Sequence, residues 1–211
     1  MKQEKILRYC LFGVGMIFTA LGIALITQAG KGTSAVASPA YVLSCLLPWS
    51  MGSCTIAVNL VMMTIQAILL KRSFFPKQLL QLPASIAFGG LIDLFRTFLG
   101  RGGTGISWLY LCFGCFALGF GVGLQKLGDV LMLPSEGAVR SIAKKGAWEF
   151  SRVKVWFDVS LVTISAVVSM LFVGSVVGIR EGTLIAAIVT GPISRLAYTQ
   201  LGFLLRKRET N

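Results

Sequence analysis

The chain contains no histidine and only 8 acidic residues. Without imidazole there is no Ser-His-Asp triad, no Cys-His pair and no His-ligated metal. Charged residues make up 13% of the 211 residues, about half the share a soluble domain carries. So little charge cannot solvate an ordinary protein surface, which excludes disorder, a coiled coil and most soluble enzymes. What is present is apolar. Hydrophobic residues make up 55% of the chain, and the mean hydropathy is +0.79. The 20 lysines and arginines leave a formal charge of +12.

A helix needs about 20 mostly apolar residues to cross hydrocarbon. Six stretches meet or approach that length, at roughly 9–28, 54–71, 79–99, 105–125, 155–176 and 182–204. Their apolar residues cover all faces, as suits a segment whose backbone must satisfy itself in lipid. The ten-residue alternation of a β-barrel is missing. The apolar run from Tyr9 to Ile26 exceeds the 7–15 residues of a cleaved signal peptide. With the N-terminus inside, fifteen basic residues fall on cytoplasmic segments and only Lys31, Arg96, Arg101 and Arg180 fall outside. The Lys/Arg bias orients membrane helices, so both termini are expected in the cytoplasm. Topology and contact with anionic lipid account for the positive charge. No nucleic-acid partner is needed.

Comparing the halves at an offset of about 98–102 residues predicts an internal repeat. Residues 22–25 (GIAL) match 121–124 (GVGL), 34–43 fall on 134–143, Asn59 lies opposite Asp158, and 89–94 lie opposite 191–196. Three spans per repeat force the second to enter from the other side. The expected fold is all-α: six transmembrane helices as two three-helix repeats of inverted topology, at about 9–100 and 105–205, forming a single domain. Each repeat carries a broken, re-entrant or interfacial segment after its first span. Such matched Gly/Pro-interrupted segments point to a carrier's binding site.

The first broken stretch contains Gly30, Gly32, Thr33 and Ser34 before a short helical run to Leu47. Thr33 or Ser34 is placed to cap that helix. The second contains Pro134 and Ser135 ahead of a helix bearing Arg140 and Lys144, with Pro134 suited to its first turn. Helix N-termini here would offer free N–H groups to an anionic group. A plain reading as capped loops with interfacial helices competes with the site reading.

These residues resemble a known family. The run Gly22 to Ser34, the later Pro134 to Gly137, Val153-Lys154 to Asp158, and Gly191-Pro192-Ile193 are similar to the YczE/YitT-like bacterial integral membrane proteins. The likeness covers most of the chain, from about Gly22 to Leu196. It implies a bacterial cytoplasmic-membrane protein and no particular substrate. Where many relatives carry Trp-Asp after Gly-Thr-Ser, this chain has Ala35-Val36-Ala37. It lacks there the acidic group a cation site would use.

An ionisable side chain within a span marks a candidate site. Arg195 is the deepest, with Asp158 its expected partner; Asn59 is a polar companion. Asp93 and Arg96, three residues apart, are expected to pair with each other. Asp158 can also pair with Lys154 one turn earlier. Cys112 and Cys115 form a lone C-x-x-C without the four ligands a zinc site needs and read as packing residues. Cys45 and Cys54 lie in one outer segment, where a disulfide is an open option. The turn at 100–105 is Gly-rich.

The substrate-binding set expected from the sequence is Arg195, Asp158, Asn59, Gly30, Thr33, Ser34, Pro134 and Ser135, with no cofactor and no metal. The function expected is a carrier of a small polar or anionic solute across a bacterial cytoplasmic membrane. Two readings compete: a vitamin-type capture subunit with a separate energising partner, and a structural or regulatory protein without a solute. A homodimer is a further expectation. No nucleophile–base constellation points to an enzyme.

Overall fold

The computed structural model describes residues 2–70, 76–100 and 106–209. The basic turn at 71–75 and all of the Gly-rich turn but Gly100 lie outside the described residues. The described chain is helical. It runs α1 (Lys2–Gln28), α2 (Ser38–Leu46), α3 (Met51–Leu70), the single turn α4 (Pro76–Leu79), α5 (Gln81–Leu99), α6 (Ser107–Gly128), α7 (Pro134–Gly146), α8 (Phe150–Val173) and α9 (Glu181–Glu209). Five of these, α1, α3, α5, α6 and α8, are long and apolar enough to cross a membrane. The stretch expected as a sixth span forms α9 but does not reach that apolarity. Pro192, Arg195 and several hydroxyl and amide side chains dilute it.

The short helices follow their local chemistry, with one correction. Pro134 opens α7 at its first turn, where a missing N–H costs nothing. Neither Thr33 nor Ser34 caps α2 through its side chain. The cap is Ala37, without a side-chain bond, and the Ser34 carbonyl accepts the Ala37 and Ser38 N–H groups at 3.0 Å each. A backbone turn does what the side chain was expected to do.

The centre of the molecule is the antiparallel pair α1 and α6. A Cβ added to Gly121 would sit 2.6 Å from the Gly15 carbonyl oxygen, and one on Gly114 would sit 3.0 Å from that of Gly22. Only glycine lets the two backbones come this close. The two contacts are also mates. Gly15 and Gly114 are 99 residues apart, as are Gly22 and Gly121.

The same offset of 99 relates most of the packing. α1 packs on α5 as α6 packs on α9; α2 packs on α3 as α7 packs on α8; α2 packs on α8 as α7 packs on α3. The correspondence fails once. α3 and α5 pack closely at Gly52 and Gly89, whereas α8 and α9 make at most marginal contact. The helices therefore form two groups. α1, α5, α6 and α9 make one body, and α2, α3, α7 and α8 the other. The α3–α5 seam joins them along one flank.

Substituting Gly121 by Val should force α1 and α6 apart and lower the thermal midpoint of the detergent-purified protein by several degrees. Gly13, with nothing within 4 Å of an added Cβ, should tolerate Ala without loss, because Ala is the better helix former by about 1 kcal/mol. Equal effects at the two positions would show that the crossing does not set stability.

Candidate functional site

A cavity of about 340 Å³ lies between the two bodies. The first body contributes Thr19, Ile23, Phe88, Leu118, Val122, Gln125 and part of α9. The second contributes 34–37, Thr55, Asn59, Leu133, Ser135, Glu136, Lys154 and Asp158. Many lining residues are 99 apart: Thr19 and Leu118, Ile23 and Val122, Val36 and Ser135, Thr55 and Lys154, Asn59 and Asp158, Phe88 and Ala187. The cavity thus sits where matching parts of the halves converge.

Four of the eight residues expected from the sequence line it: Asn59, Asp158, Ser34 and Ser135. Pro134 is buried just behind, its carbonyl accepting Gln66 Nε2 at 2.9 Å. Thr33 is buried and Gly30 takes a left-handed φ of 65°; both belong to a contact at one end of the cavity. Arg195 is the correction. It is exposed and does not line the cavity. Asp158 pairs instead with Lys154, Nζ to Oδ1 2.6 Å, one helical turn away. The nearer cation on the same helix wins over one on a helix that α8 barely touches. Asp93 likewise does not pair with Arg96. It accepts Ser50 Oγ at 2.5 Å and the Gly52 N–H at 2.7 Å, capping α3 from α5, where a carboxylate meets the positive end of the helix. Cys45 and Cys54 are both free thiols.

Among the lining side chains that the sequence did not point to are Thr19, Gln125 and Ser194. Gln125 Nε2 donates to Thr19 Oγ1 at 2.7 Å, which ties α6 to α1 through polar groups. Ser194 is 3% exposed and its Oγ has no partner. Its position one residue before Arg195 drew attention to the wrong neighbour; a helical face count along α9 from Ala186 through Thr190 would have found it. Asn59, which was foreseen, is 7% exposed and its Nδ2 has no partner either.

The cavity is closed at one end and open at the other. At the closed end, 30–33 are clasped to the head of α9. Gly182 N–H donates to the Lys31 carbonyl at 2.8 Å, Arg180 Nη1 to the Gly30 carbonyl at 3.2 Å, and Thr33 N–H to Thr183 Oγ1 at 3.2 Å. Lys31 Nζ lies 3.4 Å from Glu181 and 4.8 Å from the centre of the Trp108 ring, within cation–π range. The Glu181 carboxyl is held below its usual range, first by its own backbone N–H at the start of α9, which outweighs the opposing effect of desolvation, and then by Lys31 and Arg180. At the other end, near the N-terminal part of α1, a basin of about 1220 Å³ opens between α1, α6, α7 and α9. Gln125, Lys126 and Glu136 line both basin and cavity, so the two spaces meet there. Arg8, Lys126, Arg140 and Lys144 face Asp129 and Glu136 around the basin.

On the basin side, Gln66 and Gln81 hold the seam. Gln66 is 1% exposed, and its Nε2 donates to Gln81 Oε1 at 3.1 Å as well as to Pro134. On the opposite flank Ser165, the residue 99 beyond Gln66, donates to Ser38 Oγ at 3.2 Å.

A helical protein with five helices fit to cross a membrane among its described residues, and with a cavity between two bodies, is the class these observations define. The chain belongs to DUF6198, a family of unknown function that it matches over residues 6–199. No curated protein and no solved structure matches it.

Replacing Gln66 with Leu strands the Gln81 amide, and should cost about 1–3 kcal/mol of stability. Adding Gln81→Leu should recover part of that loss, which thermal denaturation of the single and double variants would read. The lowered Glu181 carboxyl keeps its charge, and the clasp its ion pair, above the ordinary carboxylate range. The pair is lost only as the pH falls through that lowered value. In a variant keeping Trp108 as sole tryptophan, the emission should stay flat through the ordinary carboxylate range and change only at lower pH.

Proposed function

We propose that the protein carries a small solute across a bacterial cytoplasmic membrane by alternating access between two inverted repeats. Its YczE/YitT likeness, the sixth span formed by α9 and the cytoplasmic placement of both termini are part of this proposal. The observation that carries it is the cavity between the bodies, lined by residues 99 apart, with one end clasped and the other open. A carrier exposes its site to one side at a time, and matched halves supply two equivalent arrangements of the same contacts. The basic basin then faces the cytoplasm, as the Lys/Arg bias requires, and the clasp faces outward.

In this reading the clasp between 30–33 and 180–183 is the outer gate. Opening it while the basin closes moves one body against the other about the α3–α5 seam. The unmatched flank, where α8 and α9 hardly meet, leaves room for that movement. Asn59 and Asp158 are mates facing the same cavity. Lys154 and Asp158 neutralise each other where they line the cavity.

The test uses a variant in which the five cysteines are replaced and Ala187→Cys places one thiol in the cavity, in oriented vesicles. A membrane-impermeant thiol reagent should react from the basin side. Combining Lys31→Ala with Glu181→Ala should raise reaction from the clasp side, because the ion pair and the cation–π contact that hold the clasp are both lost. Reaction from neither side, or from one side regardless of the clasp, would overturn alternating access. Two-sided access without transport of any bound solute would favour a capture subunit.

A further inference from the structure

We infer that the solute is an uncharged amphipathic molecule bearing a hydrogen-bond acceptor, held by Asn59 Nδ2 from one body and Ser194 Oγ from the other. This rests on the carrier reading and narrows its solute from polar or anionic to neutral. Three observations lead there. First, the lining between the polar groups is small and apolar, with Ala35, Ala37, Ala186, Ala187 and Phe88 among its residues. A full charge placed against such a wall forfeits its hydration. Second, no cation in the cavity is left to neutralise an anion at depth. Lys154 is already joined to Asp158, and Arg195 points away. Lys126 and Glu136, one of each sign, stand where cavity meets basin, so the mouth favours neither sign.

Third, Asn59 and Ser194 are each more than nine-tenths buried and each has a polar atom without a partner. A buried donor left unpaired is costly, and such groups in a native protein call for an explanation. Asn59 Nδ2 can only donate, so its missing partner is an acceptor. A serine hydroxyl both donates and accepts. A carbonyl oxygen satisfies Asn59, and the remainder of a primary amide, ester or similar group satisfies Ser194. Because the two side chains come from different bodies, a solute that bonds to both also registers one body against the other. The volume of about 340 Å³ has room for about ten water-sized groups, enough for a short acyl chain with such a head. The flank where α8 and α9 make at most marginal contact suits a molecule that partitions into the acyl region before entering.

The probes are hexanamide, hexanoate and hexylammonium, which share one chain and differ in the charge of the head. Radiolabelled binding would be measured with the full chain in nanodiscs against empty nanodiscs, alongside Asn59→Leu and Ser194→Ala. Saturable binding of hexanamide is expected, with both ions weaker by about tenfold or more and each variant lowering hexanamide affinity by about tenfold. Two variants guard against one failing to fold. Hexanoate or hexylammonium binding as tightly as the amide would overturn the neutral class. Hexanamide binding unchanged in both variants would overturn the assignment to Asn59 and Ser194. If no probe binds, labelling of Ala187→Cys separates the two levels. A cavity that still reacts from the basin side removes the solute class and leaves the carrier reading standing; one that reacts from neither side removes both.

Discussion

The close crossing of α1 and α6 is the constraint on which everything else hangs. Two helices with side chains at the contact sit about 8–10 Å apart. Here the facing glycines at 15, 22, 114 and 121 bring backbone against backbone. In hydrocarbon there is no hydrophobic gain from putting apolar helices together, so close packing has to supply the attraction. The crossing also fixes the pseudo-symmetry. Each glycine contact is the image of the other at an offset of 99 residues along an antiparallel helix pair. α5 and α9 then dock on the outer sides of the pair, α9 against Gly119 and Gly123 and α5 against α1, whose Ala20 and Ala24 hold the same positions and are fully buried.

Much of this was legible from residue order. Five of the apolar runs form helices fit to cross a membrane among the described residues, and glycines and small polar residues recur at a near-constant offset. Pro134 announced the start of α7. The Lys154–Asp158 pair was legible from its spacing, but the partner of Asp93 and the orientation of Arg195 were not. Sequence distance favoured Asp93 with Arg96, but the head of α3 offers Asp93 a serine hydroxyl and a backbone N–H at the end of a helix dipole. Depth along the chain favoured Arg195 as a ligand, but depth says nothing about which face of α9 turns inward. Ser194 faces in, and with a rotation of about 100° per residue its neighbour cannot. The missing packing between α8 and α9 is also invisible in a sequence comparison, because it is a departure from symmetry and the comparison detects only likeness.

The site unites elements that are individually unremarkable. A glycine turn at 30–32, a threonine near the head of α9 and an amide midway along α3 gain meaning because two bodies place them around one space. The polar seam of Gln66, Gln81 and the Pro134 carbonyl has a related role. Fully satisfied, it ties α3 and α7 to α5 along the flank on which the bodies meet, while the Ser38–Ser165 bond joins α2 to α8 within one body. The α2–α3–α7–α8 body is thus held to the rest by one strong edge.

α9 is the least apolar of the long helices, and it docks on the glycine-lined face of α6. α8 shows the reverse, with strong apolarity and only 17% of its spanning window buried. For a chain inserted into a bilayer in order of synthesis, this divides the thermodynamic burden of entry. α8 can enter on its own transfer free energy. α9 relies on a receptor surface within the same molecule, and chain order guarantees that α6 is already in place when α9 emerges. Glycines on α6 that look like packing details would therefore act as the insertion partner for a helix that hydropathy alone would leave at the surface.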